Sequence, residues 1–147
     1  MKILVPVDGS KNSVEALKTA VDLAEKLNGS LMITNVQKKI VSRPKPMEFE
    51  ISEFIEDDPQ LLRDRGNKLL DKIAEQLEGS SVKEVEKCLK LGDPADKILE
   101  CAEDYKPDMI VIGSLGLTGI QKFLMGSVSS KVVAHSNFPV LVVKYKD

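Results

Sequence analysis

The chain has 147 residues, of which 42% are hydrophobic and 30% charged, with a formal net charge of −2. That length fits one domain, 1–147, and can bury a core without metal or disulfide staples. Lysines and acids are interspersed with no basic run, so no nucleic-acid surface is expected, since phosphate neutralisation needs clustered cations.

The N-terminal apolar run is only a few residues long and Asp8 interrupts it. It therefore reads as neither a signal peptide nor a membrane span, no membrane contact is expected, and the expected location is cytoplasmic. Cys88 and Cys101 are too few and too unpatterned for a disulfide framework or a metal cage, and read as two reduced, buried thiols.

Strand and helix patterns alternate along the chain. Residues 3–7 read as a buried strand, and Ser10 or Asn12 can cap the helix that follows. Val14, Leu17, Ala20, Val21, Ala24 and Leu27 recur there at helical spacing, and Asn28-Gly29 closes the helix. Residues 31–36 form a second strand. Residues 37–57 are a long connection with Pro44, Pro46 and several acids. It reads as a solvated excursion with a few apolar anchors, or, over the acidic 48–58 segment, as a docking site for a partner.

Asp58-Pro59 pairs a cap with proline at the first helical position, opening a helix with Leu62, Leu69, Ile73 and Leu77 inward. Gly66 weakens that helix by about 1 kcal/mol relative to alanine. A third strand is expected over 82–91. Asp93-Pro94 repeats the cap-plus-proline device, with Ile98, Leu99 and Ala102 facing the core. Residues 109–112 and Val140–Val143 complete the strands. Apolar strands alternating with helices imply an α/β fold, a doubly wound parallel sheet with helices on both faces.

The most informative segment lies between the fourth strand and the last helix, 128–135. It contains Gly113, Gly116, Gly119 and Gly126 followed by Ser127. Glycine admits close backbone approach, and the N–H groups that open a helix attract anions. A strand, a glycine-spaced loop and Gly-Ser at a helix start suit phosphate without a lysine. Ser127 can cap the helix and meet a phosphate, and Ser129 and Ser130 add hydroxyls in its first turn; Thr118 also fits the loop.

Ligands of doubly wound sheets bind at the carboxyl ends of strands where strand order reverses. If the first and fourth strands are neighbours, Asp8 shares a crevice with Gly113 and Gly116, and its carboxylate suits ribose hydroxyls or an adenine amino group. The competing role for Asp8 is a helix cap. His135, the only histidine, belongs in the last turn of its helix, where the dipole favours a cation, and reads as structural. No P-loop and no G-x-G-x-x-G is present, and no cluster has metal-ligand spacing.

These motifs together resemble the universal stress protein family. Gly113, Gly116, Gly126 and Ser127 match its G-x2-G-x9-G-[ST] signature at every step. Pro6-Val7-Asp8-Gly9-Ser10, Gly92-Asp93-Pro94-Ala95 and Phe138-Pro139-Val140-Leu141-Val142-Val143 match its flanks. The resemblance implies a five-stranded sheet in the order 3-2-1-4-5, Rossmann-like and similar to adenine nucleotide alpha hydrolases. It also implies a cytoplasmic homodimer, paired through the Val140–Val143 edge strand.

By the same resemblance the ligand is ATP, with Mg or Mn carried on its phosphates and no metal site built from protein side chains alone. Pro6, Val7 and Asp8 would then lie on the ribose or adenine side, and Val36 would meet adenine through its backbone. Gly113 and Gly116 would pass the ribose and phosphates. Gly126, Ser127, Val128 and Ser129 would hold the phosphates. Leu115 stands where relatives commonly carry a polar or basic residue.

The function expected is a nucleotide-dependent stress-response or signalling module with an unidentified protein partner. No catalytic residue is identifiable, because phosphoryl transfer needs positioned charge and Lys122 is the one nearby cation. Enzymatic activity is left open as a slow ATPase or an adenylyl-transferring enzyme. A nucleotide-free interaction module is the third alternative.

Overall fold

The computed structural model describes residues 1–38, 58–115 and 125–145. The elements run β1 Lys2–Pro6, α1 Lys11–Lys26, β2 Ser30–Gln37, α2 Pro59–Leu77, β3 Val85–Leu91, α3 Pro94–Tyr105, β4 Met109–Gly113, α4 Ser127–His135 and β5 Val140–Val143. The five strands form one parallel sheet in the order β3-β2-β1-β4-β5. Strand order reverses between β1 and β4, which pair Ile3 with Met109 and Leu4 with Ile110. The expected neighbour relation between the first and fourth strands therefore holds.

Alternate residues of β1 serve opposite faces, as the two-residue strand period requires. Ile3 and Val5 join Leu31, Ile33 and Val111 under α1 and α2, whereas Leu4 joins Ile110 and Ile112 under α3 and α4. Three of the helices have a sequence-legible start: Ser10 of α1 accepts from the Ser13 amide, Asp58 of α2 from Gln60 and Asp93 of α3 from Asp96.

Four local expectations are corrected. In α1 the buried residues are Ser13, Ala16, Ala20 and Ala24, while Val14 is 41% and Leu27 49% exposed. Small side chains bring α1 close to the sheet, a fit that outweighs burying the two larger residues. In α2 Leu69 and Leu77 pack against the core as expected but only partly buried, while Leu70, not among the expected inward residues, is fully buried, and Gly66 lies on the buried face. β3 starts at Val85 because its ladder with β2 begins where Val85 meets Leu31.

The fourth correction concerns the cysteines. Cys88 of β3 and Cys101 of α3 are joined as a disulfide, with Cα atoms 7.0 Å apart. The β2–β3 register sets Cys88 beside Thr34, and Thr34 Oγ1 lies 3.4 Å from Cys101 Sγ. A strand-to-helix crossover brings the two thiols together, and their spacing in the chain carries no sign of it.

Candidate functional site

The carboxyl ends of β1 and β4 open side by side, and the loop after β1 is tightly organised. Asp8 Oδ1 accepts from the Ser10 amide at 2.9 Å, and the Asp8 amide donates to Ser13 Oγ at 3.3 Å. Ser10 is the cap of α1, so the cap role considered for Asp8 belongs to Ser10, two residues on. Gly9 has φ +84°, a left-handed turn that suits glycine, and a Cβ there would meet no atom within 4 Å.

Pro6 and Val7 are buried, and the backbone of Val7 is fully engaged. Its amide donates to Thr34 O at 2.8 Å, and its carbonyl accepts from Asn35 Nδ2 at 2.7 Å. Asn35 Oδ1 in turn accepts from Gln37 Nε2 at 2.7 Å. Val36 lies between them, partly buried against the α3 side of the core. A polar chain thus fixes the end of β2 to the end of β1.

Beyond β4 the chain turns at Ser114, whose three polar atoms all have partners. Its amide donates to Val143 O, and its Oγ donates to Asn12 Oδ1 at 3.0 Å. Its carbonyl accepts from the Gly126 amide at 2.6 Å and from Ser129 Oγ at 2.8 Å. Departure and return of the glycine loop are therefore clasped together at Ser114 and Gly126. Gly116, Gly119, Thr118 and Lys122 lie outside the described residues.

Gly126 is the N-cap of α4, and no side chain caps that helix. Here α4 differs from α1, α2 and α3. The expectation that Ser127 caps the helix is corrected: Ser127 is its first residue and is exposed. A helix start leaves its first amides without intrahelical acceptors. Those of Ser127, Val128 and Ser129 stand at the positive end of its dipole. Ser129 is buried, and its hydroxyl donates inward to Ser114 O and Gly126 O. Its side chain braces the clasp, leaving its amide as the group that can meet an anion.

The wall beside α4 is charged and internally paired. Lys131 lies 2.7 Å from Asp96 and 3.4 Å from Asp93. The hydrogen bond to Asp96 raises the Lys131 pKa, and the Asp96 amide holds the Asp93 carboxyl below its usual range. These charges tie α4 to α3. His135 occupies the last turn of α4 and is exposed. Among the described residues no group of three or more His, Cys, Asp or Glu could hold a metal.

The profile of the Universal stress protein family matches residues 1–144. The chain belongs to the universal stress protein family. Universal stress protein MJ0531 of Methanocaldococcus jannaschii is 35% identical over 145 residues, covering 97% of this chain and 81% of that protein. Among solved structures, universal stress protein UspA from Lactobacillus plantarum superimposes with a TM-score of 0.78 at 25% identity, covering 97% of each chain. A universal stress protein family member from Arabidopsis thaliana with AMP bound shares the fold, with a TM-score of 0.67 at 24% identity and coverage of 99% and 92%.

Within this universal stress protein, two residues outside the expected binding set organise the crevice: Asn12 and Ser114. Asn12 stood out in the sequence only as a possible cap, and Ser114 only as an unremarked position between signature glycines. Their partnership spans 102 positions, which no local periodicity reports.

Proposed function

We propose that this universal stress protein binds ATP across the carboxyl ends of β1 and β4 and acts as a nucleotide-dependent signalling module. The observation that carries the proposal is the start of α4. It is the helix without a side-chain cap, and it stands at the switch point of the sheet. An anion completes such a terminus by accepting from the free amides.

In this arrangement the amides of Ser127, Val128 and Ser129 hold phosphate oxygens, with Gly126 and the signature residue Gly116 alongside. Asp8 meets the ribose or adenine edge beside Pro6 and Val7, and the Val36 backbone meets adenine. Gly113 lets α1 close against the end of β4. Mg or Mn would be carried by the phosphates. The AMP-bound fold neighbour is in keeping with an adenine nucleotide on this scaffold.

The donors offered are amides and hydroxyls, which bind phosphate but supply little of the positioned charge that phosphoryl transfer needs. Hydrolysis is accordingly slow or absent. Equilibrium dialysis with labelled ATP is the direct test: binding saturates at or below millimolar nucleotide. Failure to bind at millimolar ATP would remove the proposal.

The same reading includes a homodimer through β5. That strand lies at the sheet edge, and Leu141 on it is 37% exposed. An apolar parallel edge invites pairing with another chain. Light scattering of the native chain and of Leu141→Lys checks this, with the dimer expected only for the former. The protein partner that a signalling role requires is to be sought by comparing pull-downs with and without ATP.

A further inference from the structure

The clasp that closes the glycine loop is itself held from outside, and one side chain holds it. Asn12 is the second residue of α1, a position whose side chain ordinarily meets water. Here it is partly buried. Its Oδ1 accepts from Ser114 Oγ at 3.0 Å and from the Tyr145 amide at 3.1 Å. One amide oxygen thus joins three segments: the start of α1, the exit of β4 and the chain just beyond β5.

Two further facts show that this junction is built. Gly113 stands so close to α1 that a Cβ would lie 2.7 Å from the Asn12 carbonyl carbon. Ser114 is only 4% exposed, and Asn12 is the partner to which its hydroxyl donates. Leaving a buried hydroxyl without its partner is costly, so Ser114 is expected to shift toward another partner. The backbone that would shift with it carries the carbonyl that fixes Gly126 and Ser129, and hence the direction of the first α4 amides.

Resting on the ATP reading above, we infer that Asn12 is a positioning residue for the triphosphate, aiming the α4 amides through Ser114 without touching the nucleotide. Its removal affects the phosphates more than the nucleoside, because the adenine side is fixed separately through Asn35, Val7 and Thr34.

The test measures ATP and AMP affinities of the native chain, Asn12→Ala, Ser114→Ala and the double variant by calorimetry. Loss of one aiming hydrogen bond weakens ATP about tenfold, and AMP is expected to weaken by much less. The double variant is no weaker than Asn12→Ala, since that variant already breaks the bond that Ser114→Ala removes. Hydrogen exchange with saturating ATP gives a second readout. ATP slows exchange at amides 127–129 in the native chain, and Asn12→Ala loses that protection while keeping protection near residues 7 and 36.

Equal loss for ATP and AMP, additive single variants, or unchanged protection at 127–129 each overturns the inference. If Asn12→Ala does not fold, Ser114→Ala breaks the same bond from the other side and carries the test alone. A native chain that binds no ATP defeats the nucleotide reading. A native chain that binds ATP, with variants that bind it equally well, defeats only the role of Asn12.

Discussion

Gly113 and Asn12 approach so closely that a methyl group on Gly113 would sit 2.7 Å from the Asn12 carbonyl carbon and 2.8 Å from its oxygen. The obstacle is helix backbone, which cannot rotate aside as a long side chain does. Gly113→Ala therefore pushes α1 away from β4, with a destabilisation of about 1–3 kcal/mol. Urea unfolding followed by circular dichroism measures it. A variant as stable as the native chain would show that α1 has slack at this contact.

Gly66 sets intrinsic propensity against packing. Alanine in mid-helix is favoured by about 1 kcal/mol, yet a Cβ at Gly66 would collide with Leu89 Cδ1 and lie 3.0 Å from Asn35 Oδ1. Asn35 is already bound to the Val7 carbonyl and to Gln37. Packing wins here, and Gly66→Ala lowers the urea midpoint, where propensity alone would raise it.

The Cys88–Cys101 disulfide closes a short loop, the two residues being 13 apart in sequence. A crosslink of that size restricts the unfolded chain by about 3 kcal/mol. Reduction, or Cys88→Ser under oxidising conditions, lowers Tm by about 6–12 °C for a chain of this length. Intact mass before and after reduction with alkylation checks the bond itself. An oxidised sample in which both thiols alkylate freely would contradict it.

Glu100 gives a pH dependence of known sign. Hydrogen bonds from Lys97, then Lys90, hold its pKa at about 2 against an ordinary 4.5. The stabilisation is therefore complete above about pH 4.5 and is lost as the pH falls through the folded value near 2. Because these side chains are exposed, the effect on Tm is small. Glu100→Gln has a slightly lower Tm than the native chain at neutral pH, and the gap closes toward pH 2. A gap constant across that interval would assign the difference to something other than ionisation.

Much of the architecture was written locally. Three helix starts, at Ser10, Asp58 and Asp93, follow from short polar side chains that accept an amide two or three residues ahead. β5 spans Val140–Val143, as its apolar run indicated. The signature of Gly113, Gly116, Gly126 and Ser127 pointed to the family, whose profile matches almost the entire chain.

The candidate site was legible in its backbone and not in its bracing. Gly126 and Ser127 stand at the start of α4, but the cap is glycine, leaving Ser127 exposed in the first turn. Ser129 was expected to face phosphate, whereas its hydroxyl turns inward to Ser114. Hydroxyl direction depends on which acceptor lies nearest in space. That acceptor, Ser114 O, is 15 positions away.

Sequence alone determined the alternation of apolar strands and capped helices, because those signals act within a few residues of one another. It also marked the spacing of Gly113, Gly116 and Gly126, because glycine alone lacks the side chain that limits close backbone approach. Tertiary structure alone decided that Asn12 meets Ser114 and Tyr145, that Cys88 meets Cys101, and that Gly66 yields to Leu89. Such pairs form where crossovers and strand register superimpose distant segments, and a linear pattern holds no record of that superposition.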